Sequence, residues 1–320
     1  MFLLVDFICR LFMRGTQSKF SRFFMTFCCL ALSGCTTINL DNNASIYRPA
    51  LPHYDNIKVA FVLGGGGAKG LAHLGVLEEL TAAGIKPDLI VGCSAGAIVG
   101  ALYADKPDLA HIKQLLLKIE RDDLLDISLA HLPYGFSNGW AMKQFLKENL
   151  TAKTFADLQM PFVAVATNLK TGELTAFSSG DLNKSVRASA AFPSVFLPVN
   201  IQGNYFVDGG VANAVPVDIA RKIGADFVIA VNLGDQLSDE VPSHVFGILK
   251  RSLEISYLQQ GRLVTQTADY VINVPLASVG TFDEGLNPYV YKAGVNAART
   301  SILEIKQKIK QHQRQHRKKR

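Results

Sequence analysis

Two rhythms of apolar positions alternate along most of the chain. Short unbroken apolar runs, KVAFVL (58–63), PDLIVG (87–92), PFVAVATN (161–168), ADFVIAVN (225–232) and DYVINV (269–274), have the length and β-branched content of buried strands. Between them, AKGLAHLGVLEELTAAG (68–84), AGAIVGALYA (95–104), LNKSVRASAA (182–191) and PVDIARKIG (216–224) repeat apolar residues at helical spacing. The same spacing covers Asp108–Glu120, Ala141–Leu150, His244–Gln266 and Pro288 to about Gln311. VNIQGNYFV (199–207) predicts a hairpin about its Gln-Gly pair. Gly84 is placed to end the first helix, and Pro87 to restart the chain toward the next strand. The pattern predicts an α/β fold of three layers, a mostly parallel central sheet covered by helices on both faces. In such folds ligands bind beyond the carboxyl ends of the strands, so the loops after Leu63 and Val91 are the first places to look.

Apolar residues make up 48% of the 320 positions and charged ones 19%, which supports a large core and excludes a disordered chain. The net charge of +6 is misleading, because eight cations from Lys306 to Arg320 outweigh it and the remainder carries −2. This tail has no interleaved aromatics and no zinc or RNA-binding motif accompanies it, so nucleic acid is not an expected partner. The tail reads as a solvated helix end, or as an attraction to anionic lipid.

At the other terminus, Arg14, Lys19 and Arg22 precede FFMTFCCLAL, an apolar run too short to span a bilayer, which ends in Leu32-Ser33-Gly34-Cys35. This order resembles a bacterial lipoprotein signal, with residues 1–34 removed, Cys35 lipidated and 35–56 a tether. The catalytic domain would then be 57–305, and 306–320 a basic tail. Thr36 after the cysteine is compatible with the outer membrane, and the expected location is the cell envelope, facing the periplasm. Cleavage would leave Cys35 and Cys93 as the remaining thiols, and no internal disulfide is expected.

The densest chemistry lies in VLGGGGAKGLAHLGVL (62–77). Gly65-Gly66-Gly67-Ala68-Lys69-Gly70 matches a dinucleotide fingerprint, yet the next strand carries Asp88 at its start rather than an acid at its end. A phosphate-binding loop is excluded too, since no Lys-Ser or Lys-Thr closes the run. That next strand finishes in Gly92-Cys93-Ser94-Ala95-Gly96, a GxSxG elbow that would aim the Ser94 hydroxyl from the strand tip at a helix N-terminus. A second GxSxG, Gly135–Gly139, follows Pro133 and precedes a charged helix, so Ser137 or Asn138 reads as an N-cap. A serine nucleophile needs amide donors for its oxyanion, which Gly65, Gly66 and Gly67 could offer, with Lys69 reinforcing the loop or merely opening a helix. It also needs a base, and Asp208 in NYFVDGG is the candidate, although Asp-Gly is equally a turn signal. His73 reads as a packed structural histidine. The rival Ser-Asp-His order leaves only His244, His312 and His316 after Asp208.

Taken together, GGGxKG, GCSAG and DGG, with PFVAVATNLKTGELTAFSSG, VRASAAFPSVFLPV and DGGVANAVPVDIARKIGADFVIAVN, resemble the patatin-like phospholipase family over about Lys58 to Gly234, particularly bacterial members akin to the neuropathy target esterase catalytic domain. Cys93 stands where Thr is common and Asn168 where Asp is common. The resemblance implies a Ser94–Asp208 dyad without histidine, supported by Gly92, Gly96, Gly209 and Gly210, with Arg187, Ser189, Phe192 and Pro193 as nearby wall. It implies hydrolysis of carboxylic esters of phospholipids or lysophospholipids, with no cofactor or metal. The alternatives are a noncatalytic lipid-binding envelope protein and a nonlipid carboxylesterase.

Overall fold

The computed structural model describes residues 44–127, 135–234, 237, 239–281 and 283–319. The expected lipoprotein signal and Cys35 lie outside these residues. The strands are β1 (Val59–Leu63), β2 (Leu89–Cys93), β3 (Phe162–Asn168), β4 (Leu174–Phe177), β5 (Val199–Ile201), β6 (Asn204–Asp208), β7 (Phe227–Asn232) and β8 (Tyr270–Asn273). The helices are α1 (Leu71–Ala82), α2 (Ala95–Asp105), α3 (Leu109–Leu116), α4 (Trp140–Asn149), α5 (Leu182–Ser189), α6 (Gly210–Asn213), α7 (Val217–Ile223), α8 (Val245–Val264) and α9 (Asn287–Lys319).

The strands form one sheet in the order β5-β6-β3-β2-β1-β7-β8, with β4 also on β3. Pairs β1–β2, β1–β7, β2–β3 and β7–β8 are parallel, as the strand-helix alternation requires. Successive residues of the central strands go to opposite sides. Phe61, Leu63, Ile90, Ala164, Ile229 and Val231 enter a core shared with α1, α2, α4, α5 and α9. Ala60, Val62, Leu89, Val91, Val163, Val228 and Ala230 enter another, closed by α7. Burial on both faces explains why these strands read as continuous apolar runs rather than alternating ones.

The β3 register positions the site. Ala164 pairs with both Gly92 of β2 and Phe177 of β4, and Ala166 with both Thr175 of β4 and Asp208 of β6. A residue has one partner per edge, so β2 and β6 share one edge of β3. They run toward each other and end tip to tip, at Cys93 and Asp208. The β5–β6 hairpin turns at Gln202 and Gly203, both at positive φ.

Three boundaries differ from the sequence reading. Residues 44–56 are not a free tether: the Ser45 carbonyl accepts from Asn204 Nδ2, Arg48 grips Glu173 through two hydrogen bonds, and the Tyr54 amide joins the Ile223 carbonyl. The 305/306 boundary falls inside α9, so residues 306–319 are that helix's end, as the helix-end reading expected, and Ile309 continues the apolar stripe of Ile302 and Ile305. The strand β4 carries too short an apolar run to stand out in the sequence.

Candidate active site

β2 ends at Cys93, and Ser94 bridges to α2 with φ 53° and ψ −122°, a conformation disfavoured for any residue but glycine. The turn is this tight because α2 starts against the end of β1. A Cβ on Gly96 would lie 2.1 Å from the Leu63 carbonyl oxygen, and one on Gly92 2.6 Å from Ala97 Cα. Glycine at both positions is a condition of the elbow, not a decoration of it.

Ser94 Oγ donates to Asp208 Oδ2 at 2.5 Å, and the other carboxylate oxygen accepts from the Gly210 amide at 2.8 Å. Ser189 brackets the pair. Its hydroxyl accepts from the Ser94 amide at 2.9 Å, and its carbonyl from the Gly209 amide at 3.2 Å. Thr167 Oγ1 donates to the Asp208 carbonyl at 2.9 Å and accepts from Ala212 N. Asp208 is buried, and desolvation pushes its carboxyl up to about 6 against the lowering effect of the Ser94 and Gly210 hydrogen bonds. At neutral pH it remains largely ionised yet far more basic than a surface carboxylate. Burial also raises the Tyr257 phenol, helped by the negative Asp208 nearby, so Tyr257 stays protonated beside the pair.

The glycine loop divides its amides. Gly64 N donates to Val231 O at 3.1 Å and Gly65 N to Ala214 O at 2.9 Å. The expectation that Gly65 offers an oxyanion donor is therefore corrected: its amide anchors the loop to the turn before α7. Among the described residues no protein acceptor holds the Gly66 or Gly67 amide, and both residues line the cavity at Ser94. Gly67 sits at φ 58°, and a Cβ there would lie 2.3 Å from Thr281 O, which accepts from the Ala68 amide at 2.9 Å. His73 is buried and neutral, its basicity lowered to about 4 by desolvation; Nε2–H donates to Gly64 O at 2.7 Å and holds the loop from below.

Of the other sequence candidates, Lys69 and Phe192 line the cavity, whereas Arg187 and Pro193 do not. Arg187 instead packs over Gly139 and donates to the Asn138 carbonyl. Gly209 and Gly210 leave room for close neighbours, Val165 O at 2.5 Å and the Tyr257 ring at 2.9 Å from a built Cβ. Two of the rival histidines are occupied elsewhere: His244 Nδ1 accepts from Gly247 N to cap α8, and the His312 ring packs edge-on against Phe227. Among the described residues, no histidine is a partner of the Asp208 carboxylate.

Ser94 and Asp208 open into a cavity of about 890 Å³. Ile98, Val99, Leu116, Leu124, Met142 and Phe192 make its apolar lining, and Lys118, Arg121, Lys250 and Arg251 are among the charged residues at its walls. Sequence reasoning missed Tyr257 and the 116–125 and 277–288 walls, which carry no motif and reach the site only through folding.

The patatin-like phospholipase family model matches residues 61–221, which contain the loop, the elbow and Asp208. The chain belongs to the patatin-like phospholipase family. It is 33% identical over 195 residues to patatin-like phospholipase domain-containing protein 6 of human and of mouse, a segment that is 59% of this chain and 14% of those proteins. An NTE family protein of Mycobacterium tuberculosis is 33% identical over 178 residues, 55% of this chain and 49% of that one. The patatin-like chain thus spans less than half of these relatives. Its fold matches the crystal structure of VipD from Legionella pneumophila with a TM-score of 0.52 at 15% identity, over 82% of this chain and 72% of that one.

Proposed function

We propose that this patatin-like chain is a serine acyl hydrolase that cleaves carboxylic ester bonds of phospholipids or lysophospholipids through an acyl-enzyme. The observation that carries the reading is the 2.5 Å hydrogen bond from a strained, cavity-facing Ser94 hydroxyl to the buried Asp208 carboxylate. Asp208 takes the Ser94 proton as Oγ attacks the ester carbonyl, and its raised basicity narrows the gap to the serine hydroxyl. The oxyanion forms at the N-terminus of α2, within the loop whose Gly66 and Gly67 amides have no protein acceptor among the described residues. Collapse breaks the bond to the alcohol oxygen, which leaves with the proton held by Asp208. Water then attacks the acyl-serine, Asp208 accepting its proton, and Ser94 is regenerated. The apolar lining suits an acyl chain, and the relatives' names support a lipid ester.

A fluorophosphonate probe tests the reading. It is expected to label the wild type and not Ser94→Ala, whereas absent labelling would leave a noncatalytic lipid-binding protein. Turnover of soluble short-chain esters with no gain from micelles would favour a nonlipid carboxylesterase. Cys35 is the proposed lipidation site, holding the enzyme in the envelope, at the periplasmic face of the outer membrane; metabolic labelling with a palmitate analogue should be lost in Cys35→Ala.

A further inference from the structure

Helix α8 is apolar on two sides: Phe246, Leu253, Tyr257 and Leu258 pack onto the protein, and a second apolar set faces out. Val245, Ile248, Leu249, Ile255 and Leu263 are 41–85% exposed. Ser252, Gln259 and Arg262 complete that outward face, which carries no carboxylate. The charged side chains of Lys250, Arg251 and Glu254 turn inward and are only 19–25% exposed. Glu254 pairs with both cations there and accepts a hydrogen bond from Thr281 at 2.7 Å. A surface helix normally shows polar and charged residues to solvent, so a second, outward apolar face costs free energy unless it meets something other than water.

We propose that the outward face of α8 docks on a lipid bilayer. The proposal rests on the lipid hydrolase reading above, because the inward face of the same helix lines the substrate cavity: Lys250, Arg251, Glu254 and Tyr257 all contribute to its wall. A bilayer against the outward face brings esters to the rim of that cavity, whereas a second copy of the chain would cover the helix and deliver none. The absence of carboxylates and the presence of Arg262 suit an anionic surface. No described helix is long and apolar enough to cross a membrane. The 20-residue α8 therefore lies in the interface plane, over about 30 Å, with its apolar side chains among the headgroups and upper acyl chains.

The test compares the full chain with its Val245→Asp/Ile248→Asp variant, both carrying Cys35→Ala so that acylation does not mask binding. Flotation with phosphatidylcholine/phosphatidylglycerol vesicles should fall at least about tenfold in the variant, since both substitutions remove apolar burial and add negative charge. Vesicle phospholipid turnover should fall in parallel, while hydrolysis of a monomeric short-chain ester stays within about twofold. Unchanged flotation overturns the proposal. So does sedimentation showing a wild-type dimer that the substitutions dissociate with no effect on vesicles. If neither protein hydrolyses the soluble ester, the hydrolase reading fails, while flotation still decides the docking surface.

Discussion

The chain contains two GxSxG segments, and both hold a serine hydrogen-bonded to an aspartate. At Gly92–Gly96, Ser94 Oγ reaches Asp208 at 2.5 Å; at Gly135–Gly139, Ser137 Oγ reaches Asp126 at 2.6 Å. Motif and pair are the same, but the surroundings are opposite. Ser137 is fully buried, its amide and carbonyl bonded to Val195 and Leu197, its hydroxyl also accepting from the Gly139 amide. The segment is a structured helix entrance, but its N-cap is Gly139, without a side-chain cap, and not Ser137 or Asn138 as expected; Asn138 Oδ1 accepts from Trp140 N just ahead of it. Ser94 instead sits at positive φ over a cavity, with bare amides nearby. A Ser–Asp hydrogen bond is therefore no catalytic signature by itself; access, strain and unclaimed donors make the difference.

Substitutions break the comparison in graded steps. Ser94→Ala should abolish hydrolysis by about 10⁵-fold or more, while Ser137→Ala leaves kcat/KM within about twofold; steady-state assays decide both. Gly96→Ala should prevent folding, since its Cβ would sit 2.1 Å from a backbone oxygen, a conflict costing more than about 5 kcal/mol; soluble yield and circular dichroism measure it. Asp208→Asn should lower kcat by about 10³-fold, while Asp126→Asn leaves it nearly unchanged.

The acidity of Asp208 sharpens the contrast. With its carboxyl near 6, kcat/KM should fall as pH drops below about 6 and the base becomes protonated. The stability effect has the opposite sign. A folded-state value raised from 3.8 to about 6 favours the folded protein below about pH 4 and loses that contribution as pH rises through 6. Asp208→Asn should therefore raise Tm at pH 8, by up to about 3 kcal/mol of stability, and leave it unchanged at pH 3.5. Thermal melts at the two pH values test this trade of stability for basicity. The smallest effects belong to the second motif: Ser137→Ala should cost about 1 kcal/mol by removing its hydrogen bond to Asp126, which keeps the Ala141 amide, and Gly139→Ala about 1–2 kcal/mol because φ is 71° there. Both should appear in denaturant melts with activity retained.

Much of the fold was legible because buried parallel strands write themselves as unbroken apolar runs. The elbow was legible as a GxSxG pattern, in which Gly92 is demanded locally by Gly96 and Ala97, although Gly96 answers to the Leu63 carbonyl of β1. Asp208 was only a candidate: an Asp-Gly pair at a strand end has the same local signal whether it turns a hairpin or faces a nucleophile. The loop's three glycines looked equivalent, yet the pairing of Gly65 N with Ala214 O depends on a residue 149 positions away. Tyr257, Thr281 and the exposed apolar face of α8 had no local signature, because a helix apolar on two sides does not say in its spacing which side faces the protein.

The sequence by itself determined the alternating strands and helices, the tight serine turn and the glycine-rich loop, since each follows from backbone sterics and apolar spacing within a few residues. The tertiary structure decided which aspartate meets which serine, which amides stay free and which face of α8 is bare. Those outcomes depend on β2 and β6 meeting tip to tip along one edge of β3 and on desolvation at their junction, and both arise only when distant segments pack.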